Sequence, residues 1–340
     1  MKKIFSVLLV LSLLMSLCAC GGTVPAENPS EVTTTAPTTA PATTLTTPPT
    51  TAPAKNDAIS PLLYKVTDGE GNTAWLFGSI HVGQDHFYPL PDYVTEAYEN
   101  SDALAVEADM VTFHTDMEVQ TQALMKLIYL DGTTISDHIP QDLYAEAVDT
   151  MTECGIYLSA LDMYYPIMWS TLIENAQMQS LSVNSELGID MHLLTDAHET
   201  GKEIQEVESA DFQYDIMAGF SEALQIELLE SALYSYKNTD EAKTELFELM
   251  DAWAAGDADA LTALLNEEPE FESNEQALLY AEYTDAMITQ RNITMADFAE
   301  SSLTSGKEVF LCVGAAHVVG PGAMADLLAQ RGYTVELVEG

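Results

Sequence analysis

The sequence predicts an α/β (α+β) fold in which segments from the two ends of the chain build one central β-sheet around a largely helical middle. Two observations predict it. Short apolar or alternating runs at 61–66, 73–79 and 103–106 are matched near the other end at 308–313 and 333–338. Between about 116 and 300, apolar residues instead recur three and four apart, the spacing of a helix that buries one face.

The first two runs, Pro61 to Val66 and Thr73 to Ser79, are separated by Asp68-Gly-Glu-Gly-Asn, which is turn chemistry, so they read as a hairpin. Pro91 and Asp92 open a helix that reaches Asn100, and Ala103 to Val106 form a buried strand running straight into Glu107. The helical middle is broken near Gly132, Pro140, Gly155, Pro166, Gly188, Gly201, Gly256 and Pro269. A short run from Lys202 to Val207 adds one edge or inner strand. The chain closes with a strand at Glu308 to Val313, a helix at Pro321 to Gln330 capped by Gly332, and a strand at Tyr333 to Val338.

The chain begins like an exported protein. Lys2 and Lys3 precede an apolar run from Ile4 to Leu17 that is short for a permanent membrane span. Leu17, Cys18, Ala19 and Cys20 resemble a lipobox, so residues 1–19 are expected to be a lipoprotein signal peptide and Cys20 the lipidated residue, anchoring the protein on the extracytoplasmic face of the cell membrane. Residues 20–55 are mostly Thr, Pro and Ala, too poor in apolar side chains to offset the entropy of ordering, and read as a disordered tether. Residues 56–340 are expected to form one domain. Cys154 and Cys312 are the cysteines left in it, which allows one disulfide and excludes a disulfide framework.

A net charge of −43 argues against a nucleic-acid partner, because phosphate backbones are bound by basic surfaces. The chain has only two arginines, Arg291 and Arg331, so each is conspicuous.

Two segments share a form that carries chemistry. In Trp75-Leu-Phe-Gly-Ser-Ile-His81 and Phe310-Leu-Cys-Val-Gly-Ala-Ala-His317, a buried strand runs into Gly, two small or apolar residues and then His. Such histidines leave the carboxyl edge of a sheet, where open α/β sheets hold their sites, and two of them could share a metal. Glu107 leaves a third strand in the same way. Arg291 sits on a helix in a base-poor region, where its planar fork could orient a carboxylate or stabilise developing negative charge. His192, His198, Asp190 and Asp196 sit close in sequence but do not stack on one helical face, and read as solvated helix. His86 follows the first motif without a clear part in it. The chain has no His-Glu-x-x-His, no Gly-x-Ser-x-Gly and no phosphate loop.

The strand-GSIH segment, Ala-Val-Glu107, the Arg291-Asn292 pair and the closing Val-Gly-Ala-Ala-His317 segment together resemble the TraB/PrgY/GumN family, which includes the Tiki proteases and is related to erythromycin esterases and ChaN-like proteins. Leu187-Gly-Ile-Asp190, Gly201-Lys202 and Val207-Glu208-Ser209 extend the likeness over about residues 60–339. The resemblance implies two Gly-x-x-His motifs facing each other across a sheet, with metal-dependent hydrolysis in the Tiki branch. It places His81 and His317 on the motif histidines, Glu107 on the family's acid and Arg291 on its arginine. The expectation is a surface-tethered metallohydrolase, a peptidase acting on peptide or protein substrates. In it His81, Glu107 and His317 would hold a divalent ion, Zn, Mn or Co, and Arg291 would balance charge at the tetrahedral intermediate. The alternatives are a peptide-capturing lipoprotein without turnover, and a metal-independent esterase with a histidine general base.

Overall fold

The computed structural model describes residues 59–338 apart from 182 and 184. The expected signal peptide, Cys20 and the tether up to residue 55 lie outside these residues. The order begins β1 (Leu63–Thr67), β2 (Thr73–Ser79), α1 (Asp92–Asn100), β3 (Ala103–Val106), α2 (Met110–Thr115) and α3 (Met117–Met125). It continues through α4 (Ile135–His138), α5 (Gln141–Glu153), α6 (Pro166–Ser180), α7 (Ile189–Thr200), β4 (Glu203–Glu206) and α8 (Ala210–Gly219). Next come α9 (Glu222–Lys237), α10 (Thr239–Ala255), α11 (Ala258–Leu265) and α12 (Asn274–Thr284). A π-helical turn at Asp285–Thr289 leads into α13 (Gln290–Thr304), and β5 (Val309–Gly314), α14 (Ala315–Val318), α15 (Met324–Gln330) and β6 (Thr334–Leu337) complete it.

One mixed sheet of six strands has the order β4-β3-β5-β2-β1-β6. The chain's last long strand therefore lies between two of its first. β5 pairs in parallel with β2 on one side, Phe77 opposite Cys312 and Ser79 opposite Gly314, and with β3 on the other, Val106 opposite Cys312. Only β1 runs against the rest: Leu63 faces Phe77 and Tyr64 faces Leu337. β3 and β5 are buried along their whole length, as strands covered on both faces should be. β4 is a half-exposed edge strand with charged ends, Glu203 and Glu206.

Punctuation residues set the helix boundaries. Pro166 opens α6, where a missing N–H costs nothing, and Gly201 and Gly256 end α7 and α10 in the left-handed conformation. The predicted helix at 321–330 starts later, at Met324. Gly320 and Gly322 take φ of +107° and +73°, so the chain there turns instead of coiling. Cys154 and Cys312 are both free thiols.

The sheet and the helices on it form the largest apolar cluster, while two further clusters fill the helical middle, around Tyr214 and Tyr283 and around Trp169. Trp253 of α10 is buried against Phe77 and Phe87, and its Nε1–H donates to the Gly78 carbonyl at 2.7 Å. It thus braces the end of β2 from which the first motif departs. Trp253→Ala should cost roughly 3–5 kcal/mol, the range for truncating a buried large aromatic. Urea unfolding would check it: a midpoint within error of wild type would show that this brace is dispensable.

Candidate active site

β2, β3 and β5 point their carboxyl ends the same way, so the residues that follow them meet. His81 follows β2, Glu107 follows β3, and His317 follows β5 after one turn of α14. Arg291 arrives from the first turn of α13. Gly314, which ends β5, is the point of convergence. A Cβ placed on it would stand 3.3 Å from Glu107 Oε1, 3.5 Å from His81 Nε2 and 3.6 Å from His317 Cδ2. All four residues singled out in the sequence are therefore brought together. A small cleft of about 40 Å³ opens there, lined by Ser79, His81, Glu107, Asp190 and Gln213, while Arg291 and His317 are buried.

Each group is fixed by a partner. His81 Nδ1 lies 2.8 Å from Asp190 Oδ2, which leaves Nε2 facing the cleft. The turn carrying His81 is pressed against the start of α7. A Cβ on Gly83 would fall 1.8 Å from the Leu187 carbonyl oxygen, and one on Gly188 2.6 Å from that of His81. Only glycine permits this backbone approach, which delivers Asp190 to His81. His317 Nδ1 lies 2.7 Å from Asn292 Oδ1. Because the same amide donates its Nδ2–H to the Gly322 carbonyl, its oxygen must face the imidazole. His317 thus donates from Nδ1 and keeps its lone pair on Nε2, 4.0 Å from Glu107 Oε1.

Both oxygens of Glu107 are held. Oε1 accepts the Gly314 N–H at 2.7 Å, and Oε2 accepts from Arg291 Nη2 at 2.6 Å and Gln213 Nε2 at 3.2 Å. The Arg291 side chain is 2% exposed, and that of Glu208 beside it 1%. Arg291 Nε donates to both oxygens of Glu208, Nη2 to Glu208 and Glu107, and Nη1 to the Met287 carbonyl in the π-helical turn. Every guanidinium nitrogen is engaged within the protein. Of the two roles the sequence allows Arg291, orienting a carboxylate is the one this geometry displays. Glu208 reaches its place because the β3–β4 ladder continues past both strands, Val207 N–H to the Val106 carbonyl and Glu208 N–H to that of Glu107.

Burial and charge drive the two imidazoles apart. Burial disfavours the cationic form of His81, but Asp190, by charge and hydrogen bond, and then Glu107 outweigh it and lift its pKa to about 9. Burial and then the Arg291 charge push His317 down to about 3, against the pull of Glu107. For Glu107, burial favours the neutral acid, yet Arg291, His317, His81 and the Gly314 N–H together hold it far below the usual carboxylate range. At neutral pH the site therefore holds one imidazolium, one neutral imidazole and an ionised carboxylate.

Among the described residues, no group of three or more His, Cys, Asp or Glu side chains is arranged to hold a metal ion. Asp190, Glu208, Asn292 and Gln213 are the contributors that residue-level reading did not assign. Asp190 was grouped with solvated helix, but its Oδ1 is buried without a hydrogen-bond partner and Oδ2 holds His81. Its neighbours stay outside the site: His192 packs at a tilt against Tyr88, Asp196 accepts from Tyr98, His198 pairs with Asp109, and His86 lies edge-on to Phe87.

The model of the TraB/PrgY/gumN family matches residues 62–337, a span that includes every group just described. The chain belongs to this family. It is 26% identical over 259 residues to the uncharacterised protein YbaP of Escherichia coli K12, across 74% of this chain and 86% of YbaP, and equally to YbaP of Shigella flexneri. No solved structure matches it.

In this TraB/PrgY/gumN member, Gly314→Ala suits the backbone, since Gly314 has negative φ, and should keep the fold if Glu107 Oε1, 3.3 Å from the new methyl, gives by a few tenths of an ångström. It should nevertheless abolish any ligand binding at the cleft, because the added methyl sits where the groups converge; wild-type ligand affinity by calorimetry would contradict this. The histidines also predict how stability depends on pH. His81, raised from 6.5 to about 9, contributes stability below about pH 6.5 that is lost as pH climbs through 9. His317, lowered from 6.5 to about 3, contributes stability above 6.5 that is lost as pH falls towards 3. Imidazole NMR titration of metal-free protein, assigned with His81→Asn, should find one ring still cationic at pH 8 and one neutral at pH 5. Two rings titrating together near 6.5 would refute the assignment.

Proposed function

We propose that this protein is a hydrolase of peptide-type acyl bonds, acting at the carboxyl edge of the sheet while tethered to the extracytoplasmic face of the membrane through Cys20. The convergence of His81 Nε2, Glu107 Oε1 and the buried His317 around Gly314, with His81 and Glu107 lining one cleft, carries this reading. Acid–base catalysis needs a group that gives a proton and one that takes it, and environments that separate two pKa values supply such a pair. His81 presents Nε2 to the cleft with Asp190 behind Nδ1, an arrangement that steadies an imidazolium and fixes its tautomer. A scissile carbonyl placed over Gly314 would meet the His81 proton, and a water beside it would meet the His317 lone pair. Glu107, kept ionised by Arg291, steadies the positive charge on His81.

A divalent ion, Zn, Mn or Co, is the proposed cofactor. Nε2 of His81, once its proton is released, and Nε2 of His317 would be its nitrogen donors, and a side-chain oxygen holds each Nδ1. Glu107 would join through Oε1, which accepts only the Gly314 N–H and keeps a second lone pair, while Arg291 and Gln213 hold Oε2. When bound, such an ion would polarise a carbonyl and lower the pKa of water.

The purified protein, incubated with a mixed peptide library and followed by mass spectrometry, should yield cleavage products. His81→Ala should lower the rate roughly 10²–10⁴-fold, the weight of a lost proton-transfer group. Loss of activity in chelator with recovery on adding metal supports the ion; full activity in chelator removes it and leaves the His81–Asp190 pair acting as in a metal-independent esterase. Stoichiometric peptide capture with no product from wild type would replace hydrolysis with a binding role.

A further inference from the structure

A second concavity lies alongside α8, the helix that sends Gln213 to the cleft. It encloses about 360 Å³ between α8 and the π-helical turn, with Phe212, Ile216, Phe220 and Ala286 as apolar walls and Arg291 on its inner side. That volume is in the range of sites that hold ligands. Phe212 is 43% exposed, a large aromatic surface presented to solvent. The lip of the groove is acidic, formed by Asp215, Glu282 and Asp285.

These carboxylates are only partly balanced. Lys126 pairs with Asp211 and Asp215, Glu282 accepts from the backbone and hydroxyl of Ser221, and Asp285 accepts from Gln290 Nε2. One ammonium among these acids leaves the lip negative around an apolar trough.

We propose that this groove binds an extended peptide segment in which a large apolar side chain is flanked by basic residues. The apolar side chain would fill the trough against Phe212, Ile216 and Phe220, and the basic groups would lie over Asp285 and Glu282. Charge complementarity favours this occupant over an acidic or uncharged peptide. Arg291 lines the groove and donates to Glu107, a residue of the cleft, so the occupant would lie next to the group that holds Glu107. The inference names peptide chemistry for a surface outside the cleft, and it does not require that the protein hydrolyse anything.

The test is fluorescence anisotropy with a dye-labelled peptide of Lys-Leu-Phe-Lys type, using His81→Ala protein so that turnover plays no part. Gly219 lines the groove, and a Cβ there meets nothing within 4 Å, so Gly219→Phe is the substitution expected to occupy the trough. Saturable binding is expected, weakened about tenfold or more by Gly219→Phe and by Asp285→Lys, and weakened by salt, as an effect of about 1.4 kcal/mol or larger would require. A Glu-Leu-Phe-Glu counterpart should bind at least tenfold less tightly, by the same measure. Equal binding of the two peptides, wild-type affinity in both groove variants, or no saturable binding would each overturn the proposal. Peptide cleavage by wild type alongside any of these results would leave the hydrolase reading standing and remove only the groove.

Discussion

The insertion of β5 between β2 and β3 is the constraint on which everything else rests. It sets Cys312 opposite both Phe77 and Val106, pairings that span more than half the chain. The sheet cannot close until the last quarter of the polypeptide has arrived, which makes assembly dependent on non-local contacts. Once closed, three parallel strands end at one edge, and a residue placed just beyond each necessarily shares a small volume with the others. The site is thus a property of the topology before it is a property of any side chain.

Within that volume the Glu107–Arg291–Glu208 network is hard to explain as a stabilising device. Withdrawing such ions from water costs several kcal/mol each, and buried ion pairs are often no better than well-packed apolar residues of the same volume. What the network provides is definition. Two carboxylates hold one guanidinium, the guanidinium with the Gly314 N–H holds Glu107 in one orientation, and that charge stands beside one imidazole kept cationic and another kept neutral. Removing one member would strand the others, so the cost of such a change would far exceed the net worth of any single contact.

Much of this arrangement was legible in the sequence, and the reason is locality. A glycine and a histidine at fixed distance beyond an apolar run reveal both a strand end and the group leaving it, so His81, Glu107 and His317 could be named without knowing which strands were neighbours. Arg291 stood out through the chain's poverty in arginine. Asp190 did not, because its role depends on two glycines letting unrelated backbone segments touch, and its neighbours on α7 do point away. Glu208 and Gln213 were likewise invisible as site residues, since only the β3–β4 ladder and the packing of α8 carry them to Glu107. The late start of α15 shows the limit of a helical reading that weighs proline but not the two left-handed glycines beside it.

The reversed direction of β1 has a practical outcome. Leu63 stands level with Phe77, and Val338 N–H reaches the Leu63 carbonyl, so both ends of the described chain emerge at the rim where β2 ends. The hairpin turn at Asp68 to Asn72 is at the opposite rim. A fluorophore or affinity handle joined directly at residue 59 or 338 would stand at the rim that carries His81, whereas one grafted into that turn would stand at the far rim.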